Sequence, residues 1–232
     1  MKFINYAHRG ASTYCPENTM LSFYTGVYMG ANGIETDVQR TKDGVLVLFH
    51  DDIITRVTGK EGSISDYTYE ELLSFDVNTG ALSDKIPTLE DFLRAFRHFD
   101  LTFAIELKVG GVEEDTAALI RKYGLSDRVV ITSFQYDYIA KMKEIAPDLR
   151  IGYLTSKTDR ETTEKLLSLG AYEICPKAEK LTRELVETWH SLGLGVRAWG
   201  VFNTELMEMA YELGVDGMTV NFPDKLAELM KK

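Results

Sequence analysis

Short apolar runs alternate with amphipathic stretches along the whole of this chain, and few folds satisfy that rhythm. Strand-like runs fall at 3–7, 33–38, 45–49, 102–107, 129–133, 150–154, 172–175, 196–200 and 216–220. Helical patterns separate most of them. The stretch 19–28 sets Met20, Leu21, Tyr24, Val27 and Tyr28 on one helical face. Thr88 with Asp91 three positions on is an N-cap signature for a helix running through Phe92, Leu93 and Phe96. In the second half, strand starts recur roughly every 20–26 residues, the spacing of repeated βα units. Such units build a parallel sheet, either closed into a barrel or open and wound on both faces.

Nine runs are one too many for an eight-stranded barrel. Thr41-Lys42-Asp43-Gly44 accounts for the surplus, because Asp-Gly between two β-rich runs is a hairpin signal. The run 45–49 is therefore expected to return antiparallel to 33–39, leaving eight strands for a (β/α)8 TIM barrel. An open sheet in strand order is the competing geometry. Residues 52–86 break the rhythm, with Gly59, Gly62, Asn78 and Gly80, a short helical pattern at 69–74 and no strong apolar strand. An insertion of this length is usually a lid or binding loop, so it is expected above the C-terminal face of the barrel. The whole chain, 1–232, is expected to be one domain, a length that suits a single α/β barrel.

The formal net charge of −10 repels nucleic-acid phosphates and anionic lipid headgroups, so neither is an expected partner. A small anionic substrate is admissible where local cations overcome that field. No apolar run near the polar motifs is long enough to span a bilayer, and no stable membrane association is expected. Residues 1–7 lead straight into the charged motif at His8, leaving no room for a cleavable apolar segment. The two cysteines, Cys15 and Cys175, read as free thiols, and a disulfide between them is disfavoured. Cytoplasm is the expected location.

Glu35 and Asp37 are two apart on a strand, so their side chains leave the same face. Apolar Ile34 and Val38 flank them on the other face, which argues against an exposed acidic edge. Two carboxylates that close at a strand end call for a cation between them. Glu106 and Lys108 repeat the spacing on the next barrel strand, opposite Phe103, Ile105 and Leu107. A third carboxylate completes an oxygen cage suited to a hard divalent cation, Mg²⁺ or Ca²⁺, with Lys108 placed to hold an anion. Taken alone, Glu106 and Lys108 would be a plain ion pair.

Of four histidines, His98 and His190 fall late in helical patterns among charged residues, where solvent explains them. His8 ends the first strand and precedes Arg9-Gly10, and His50 ends the hairpin's return strand. A two-residue turn would bring His50 opposite Glu35 or Asp37. Two imidazoles beside a cation can act as base and acid on opposite sides of one displacement, while Arg9 holds a phosphate bidentately. That combination describes phosphodiester cleavage better than carbonyl chemistry.

These motifs resemble those of the glycerophosphodiester phosphodiesterases. The resemblance rests on His8-Arg9-Gly10, Pro16-Glu17-Asn18-Thr19, Glu35-Thr36-Asp37-Val38, Thr41-Lys42-Asp43-Gly44, His50-Asp51 and Glu106-Leu107-Lys108. Ser133-Phe134, Trp199 and Gly214-Val215-Asp216-Gly217 extend it over nearly the whole chain. It implies hydrolysis of glycerophosphodiesters to glycerol 3-phosphate and an alcohol. It further implies one divalent cation on Glu35, Asp37 and Glu106, with His8 and His50 as the acid–base pair. Arg9 and Lys108 would bind phosphate, and Trp199 would pack against the glycerol. The chain departs from the family's usual pattern at Gly200, where Thr is common, and at Val220-Asn221-Phe222-Pro223. Two other readings stand beside this one: a phospholipase D-like hydrolase of lysophospholipids, and a non-catalytic metal- or phosphate-binding module.

Overall fold

The structure is a computed structural model and describes residues 3–231. Its strands are β1 (Ile4–His8), β2 (Gly33–Arg40), β3 (Leu46–Leu48), β4 (Val77–Thr79), β5 (Leu82–Asp84) and β6 (Thr102–Leu107), followed by β7 (Val129–Ser133), β8 (Arg150–Thr155), β9 (Glu173–Pro176), β10 (Gly195–Val201) and β11 (Gly217–Val220). All but β3, β4 and β5 pair in parallel, and β1 bonds to both β2 and β11. The sheet therefore closes, and the architecture is the expected (β/α)8 barrel rather than an open sheet. Closure leaves no free edge on the eight parallel strands.

The hairpin also forms. Strand β3 runs antiparallel to β2 with Val38 opposite Leu48 and Arg40 opposite Leu46. It takes the edge of β2 beyond the point where β1, paired at residues 33–35, has ended. The turn is wider than the two residues expected, because Val45 O accepts from Thr41 N and Thr41 Oγ1 braces both Val45 N and Asp43. Continued by two residues, the register sets His50 level with Thr36, between the two partners expected for it.

Outward-facing strand residues and the helices share one apolar core. Phe103, Ile105 and Leu107 of β6 belong to it, while Ala104 and Glu106 face inward. Helix α1 (Met20–Tyr28) starts at Thr19, whose hydroxyl accepts from Ser22 N. Its buried residues are Ser22, Phe23 and Gly26; of the face expected from its large apolar side chains, Met20 and Val27 pack half-buried against the core while Leu21, Tyr24 and Tyr28 are exposed. Tyr28 is 92% exposed, and Tyr24 lies on Phe96 at the surface. Close approach explains the difference: a Cβ at Gly26 would meet that of Ala7 at 2.8 Å, so the helix docks on its small residues. Phe23 then reaches Phe92 edge-on at 4.8 Å, and Phe92 reaches Phe103 at 5.5 Å. Full burial of each such ring is worth roughly 1.5–3 kcal/mol.

Segment 52–86 has a separate apolar core. It contains α2 (Thr55–Thr58), α3 (Tyr69–Leu72) and a β4–β5 hairpin that its sequence did not announce. Ile54, Val57, Ile64, Leu72, Val77 and Ile86 pack on Val47 and Phe49 of the hairpin's return strand. The segment thus lies beside the mouth on β3 rather than across it. Helix α4 (Leu89–Phe96) resumes the barrel, capped by Thr88 from the Asp91 amide as expected.

The barrel interior is polar where it underlies the mouth. Arg197 donates to Glu173 Oε1 at 2.8 Å and to Thr219 Oγ1 at 2.8 Å, and lies 5.1 Å over the Tyr6 ring. Removing one partner from so buried a pair would strand the other's charge, a loss of about 3–5 kcal/mol.

Candidate active site

The first βα turn sets the geometry of the mouth. After β1 the backbone doubles back through Arg9 (φ 53°) and Gly10 (φ 81°). A Cβ on Gly10 would lie 2.0 Å from Ser22 Oγ, so only glycine fits there. The left-handed conformation of Arg9 is uncommon outside glycine and is held from several sides. Its amide donates to Glu35 O at 2.9 Å, and its carbonyl accepts from Asn18 N and Ser22 Oγ. The fold thereby fixes the start of the Arg9 side chain before any ligand is considered.

Glu35, Asp37 and Glu106 converge at the C-terminal ends of β2 and β6. Each offers an oxygen within 4.8 Å of the others, and all three residues are buried. Register explains the convergence, because Asp37 lies directly opposite Glu106 in the parallel β2–β6 ladder. Burial, and then the charge of Asp37, push the Glu106 carboxyl up to about 7. Burial and the charges of Asp37 and Glu106 push Glu35 well above the usual carboxylate range. Burial works against Asp37 too, yet the Arg9 guanidinium and other cations beside it hold its carboxyl below the ordinary value. Asp37 Oδ1 is buried without a hydrogen-bond partner, and Lys108 Nζ stands 4.0 Å away. Crowded oxygens, raised carboxyls and an unpartnered buried oxygen are what a hard divalent cation would relieve, so this donor set fits one.

The surrounding cations are tied to the same cluster. Arg9 Nε lies 3.4 Å from Asp37 Oδ2, and Lys108 Nζ donates to Glu106 Oε1 at 2.9 Å. His8 Nε2 lies 3.8 Å from Glu35 Oε2, while its Nδ1 meets Asn221 Oδ1 at 2.5 Å. An amide oxygen accepts, so Nδ1 carries the proton and Nε2 presents a lone pair to the mouth. Burial, with the Arg9 charge beside it, lowers His8 from 6.5 to about 4. His50 Nδ1 lies 2.7 Å from Asp51 Oδ1. Burial opposes ionisation of Asp51, but its bonds to Arg56 and His50 hold it down at about 2. The two imidazoles therefore have different anchors, one a neutral amide and the other a carboxylate.

A cavity of about 190 Å³ opens above these groups, and His8, Arg9, Glu35, His50 and Glu106 line one side of it. Phe134, Leu154, Trp199, Val201 and Phe202 make an apolar wall on the other. Trp199 is steadied by Phe134 edge-on at 4.9 Å and donates Nε1 to Thr155 O at 3.3 Å. Arg197 forms part of the floor. No residue of segment 52–86 lines this cavity. The segment expected to overhang the site stands instead at its edge: its core packs on Val47, which lies opposite Gln39 and so on the face of β2–β3 that carries Glu35 and Asp37.

Every expected site residue is thus at one mouth, with His98 and His190 elsewhere; His190 pairs with Asp216 at 2.8 Å. Residues without a role assigned from the sequence also belong to it. Asn18 donates to Asp37 Oδ2 at 2.8 Å, Glu17 accepts from Arg9 Nη1 at 2.9 Å, and Asn221 anchors His8. Glu17, Asn18 and Asp51 all stood within the quoted motifs, so their presence was visible although their partners were not.

A closed parallel barrel with its polar residues gathered where the strands end has the architecture of the α/β-barrel enzymes. Within that class the chain belongs to the glycerophosphoryl diester phosphodiesterase family, whose sequence pattern matches residues 8–225. It is 36% identical to a glycerophosphodiester phosphodiesterase of Caldanaerobacter subterraneus subsp. tengcongensis, covering 100% of this chain and 99% of the relative. A second, from Bacillus altitudinis, is 33% identical over 98% of each. Among solved structures, an Oleispira antarctica phosphodiesterase in complex with the product sn-glycerol-3-phosphate superposes with a TM-score of 0.88. It is 26% identical and matches 98% of this chain and 96% of that one. A glycerophosphodiester phosphodiesterase from Agrobacterium tumefaciens gives 0.86 at 25% identity, over 98% and 100%.

Proposed function

We propose that this protein hydrolyses glycerophosphodiesters to glycerol 3-phosphate and an alcohol, with a divalent cation at Glu35, Asp37 and Glu106. The observation that carries the reading is the meeting of those three buried carboxylates with two imidazoles at one cavity. Its all-oxygen donor set favours Mg²⁺ or Ca²⁺ over softer metals. When bound, the cation supplies Lewis-acid neutralisation of phosphate charge.

The chain's own groups do the rest. Arg9 and Lys108 bind the phosphate oxygens, and Trp199 packs against the glycerol carbons. His8, neutral and with a free Nε2, takes the proton from the nucleophile. His50, held through Nδ1 on the Asp51 carboxylate, gives a proton to the departing alcohol oxygen. The amide-versus-carboxylate contrast between their anchors supports that division of labour. The barrel and segment 52–86 act as one catalytic domain over 1–232. Two buried free cysteines suit a reducing compartment, and we place the enzyme in the cytoplasm. Among the described residues no helix is long and apolar enough to cross a membrane.

A second reading keeps the site and the departing headgroup but changes the substrate to a lysophospholipid, whose glycerol carries an acyl chain, cleaved in the manner of a phospholipase D; the 65% exposed Phe202 at the cavity rim favours it. A panel of glycerophosphodiesters and lysophospholipids, assayed for phosphate-ester release with and without chelator, tests both. Release from the glycerophosphodiesters that stops on chelation and returns with Mg²⁺ or Ca²⁺ is expected. Full activity in excess chelator, or release from lysophospholipids alone, would sink the first reading.

A further inference from the structure

Segment 52–86 lines none of the cavity, yet its own apolar core on β3 holds it in place. One side chain of α2 turns out of that core toward the site: Arg56. It is 51% exposed, and an arginine so solvated ordinarily contributes little through a single ion pair. Here the contacts are multiple. Nη1 donates to Glu17 Oε2 at 3.0 Å, Nη2 to Glu17 Oε1 at 2.6 Å, and Nε to Asp51 Oδ2 at 2.6 Å. This uses the planar fork that distinguishes arginine from lysine.

Each of the two carboxylates also holds a residue of the cavity. Glu17 Oε1 accepts from Arg9 Nη1 at 2.9 Å, and Asp51 Oδ1 lies 2.7 Å from His50 Nδ1. Glu17, His50 and Asp51 offer polar atoms within 4.8 Å of one another. Two carboxylates that close repel unless positive charge sits between them. Arg56 supplies that charge, so both can stay turned inward.

We infer that Arg56 is a positioning residue that locks Glu17 and Asp51 and, through them, orients Arg9 and His50. Segment 52–86 then acts on the chemical step as well as on what surrounds the mouth. The inference rests on the reading above, in which Arg9 binds phosphate and His50 transfers a proton. Without Arg56, Asp51 is free to swing and His50 loses its fixed ring, which lowers kcat. Glu17 no longer has a second partner, and a displaced Arg9 raises KM.

The full chain is compared as wild type, Arg56→Ala, Arg56→Lys, Asp51→Asn and Arg56→Ala/Asp51→Asn. Misplacement of a reacting group by about 1 Å can cost about 10²-fold. Arg56→Ala is expected to lose about 10–10²-fold in kcat/KM, with added guanidinium ion restoring part of it. Arg56→Lys keeps the charge without the fork and should recover only partially. The double variant should lose less than the product of the two single losses, because both act on His50 through one carboxylate. Activity of Arg56→Ala within about twofold of wild type, or multiplicative losses in the double variant, would overturn the role. If Arg56→Ala does not fold, Arg56→Lys decides by the same criterion.

A second readout does not depend on turnover. At about pH 8, above the ordinary imidazole range, ¹⁵N signals of His50 should report one Nδ1-protonated tautomer in wild type. They should move toward a tautomer average in the Arg56 variants, and unchanged signals would overturn the inference. Wild-type protein inactive on every glycerophosphodiester would defeat the functional reading instead, while this signal still judged the contact.

Discussion

His8 and Asn221 stand 213 positions apart in the chain, yet Nδ1 of the first meets Oδ1 of the second at 2.5 Å. The meeting follows from barrel closure, since β1 and β11 are neighbours and Ala7 lies opposite Val220. Asn221→Ala should leave the fold intact but free the His8 ring to rotate and to change tautomer. A drop in kcat of about 10–10²-fold is expected, the usual scale for partners that orient a reacting imidazole. Steady-state kinetics beside a melting curve checks it: unchanged kcat would mean the bond is only structural.

Direct removal of either imidazole should cost more. General acid–base groups typically contribute about 10²–10⁴-fold, and His8→Ala and His50→Ala should each lose that much while remaining folded. Both rings sit at the cavity rather than in the apolar core, so melting temperatures should change little. Normal turnover by either variant would remove that residue from the mechanism.

Asp51 predicts an acid-side dependence of stability. Its folded value of about 2 lies below its ordinary 3.8, so the folded state favours the charged carboxylate. The stabilisation is therefore complete above 3.8 and is lost as pH falls toward about 2. Asp51→Asn should be less stable than wild type at neutral pH and should show a shallower loss over that window. Melting curves measured between about pH 5 and pH 2 check this, and equal pH slopes for wild type and Asp51→Asn would sink it.

The nucleophile can be separated from water by substrate design. The glycerol carries a hydroxyl beside the esterified carbon, and in the proposed mechanism His8, with Nε2 facing the cavity, would take its proton. Intramolecular attack gains from fixed orientation, with effective molarities that can reach about 10⁵ M. A cyclic phosphate would form as the alcohol leaves with a proton from His50, and water would then open it with the two histidines exchanging roles. An analogue lacking that hydroxyl should bind through its phosphate and turn over very slowly. Near-normal turnover of the analogue would point to water as the attacking group.

The sequence by itself settled the barrel strands, the β2–β3 hairpin and the residue types at the mouth, because each rests on local rules, while closure over an open sheet was decided by the pairing of β1 with both β2 and β11. Period-two spacing puts Glu35 with Asp37 and Glu106 with Lys108, and apolar neighbours decide which face turns outward. The cap at Thr88 was legible for the same reason. Tertiary structure decided what depends on distance in space between segments remote in the chain. It chose Gly26 over Leu21 and Tyr24 as the docking face of α1, because close approach to Ala7 outweighs side-chain hydrophobicity there. It widened the hairpin turn and so set His50 level with Thr36. It put segment 52–86 beside the mouth on its own core, and brought Arg56 to Glu17 across 39 residues and Asn221 to His8 across 213. Sequence periodicity carries no term for such meetings, because only the closed barrel brings these segments together.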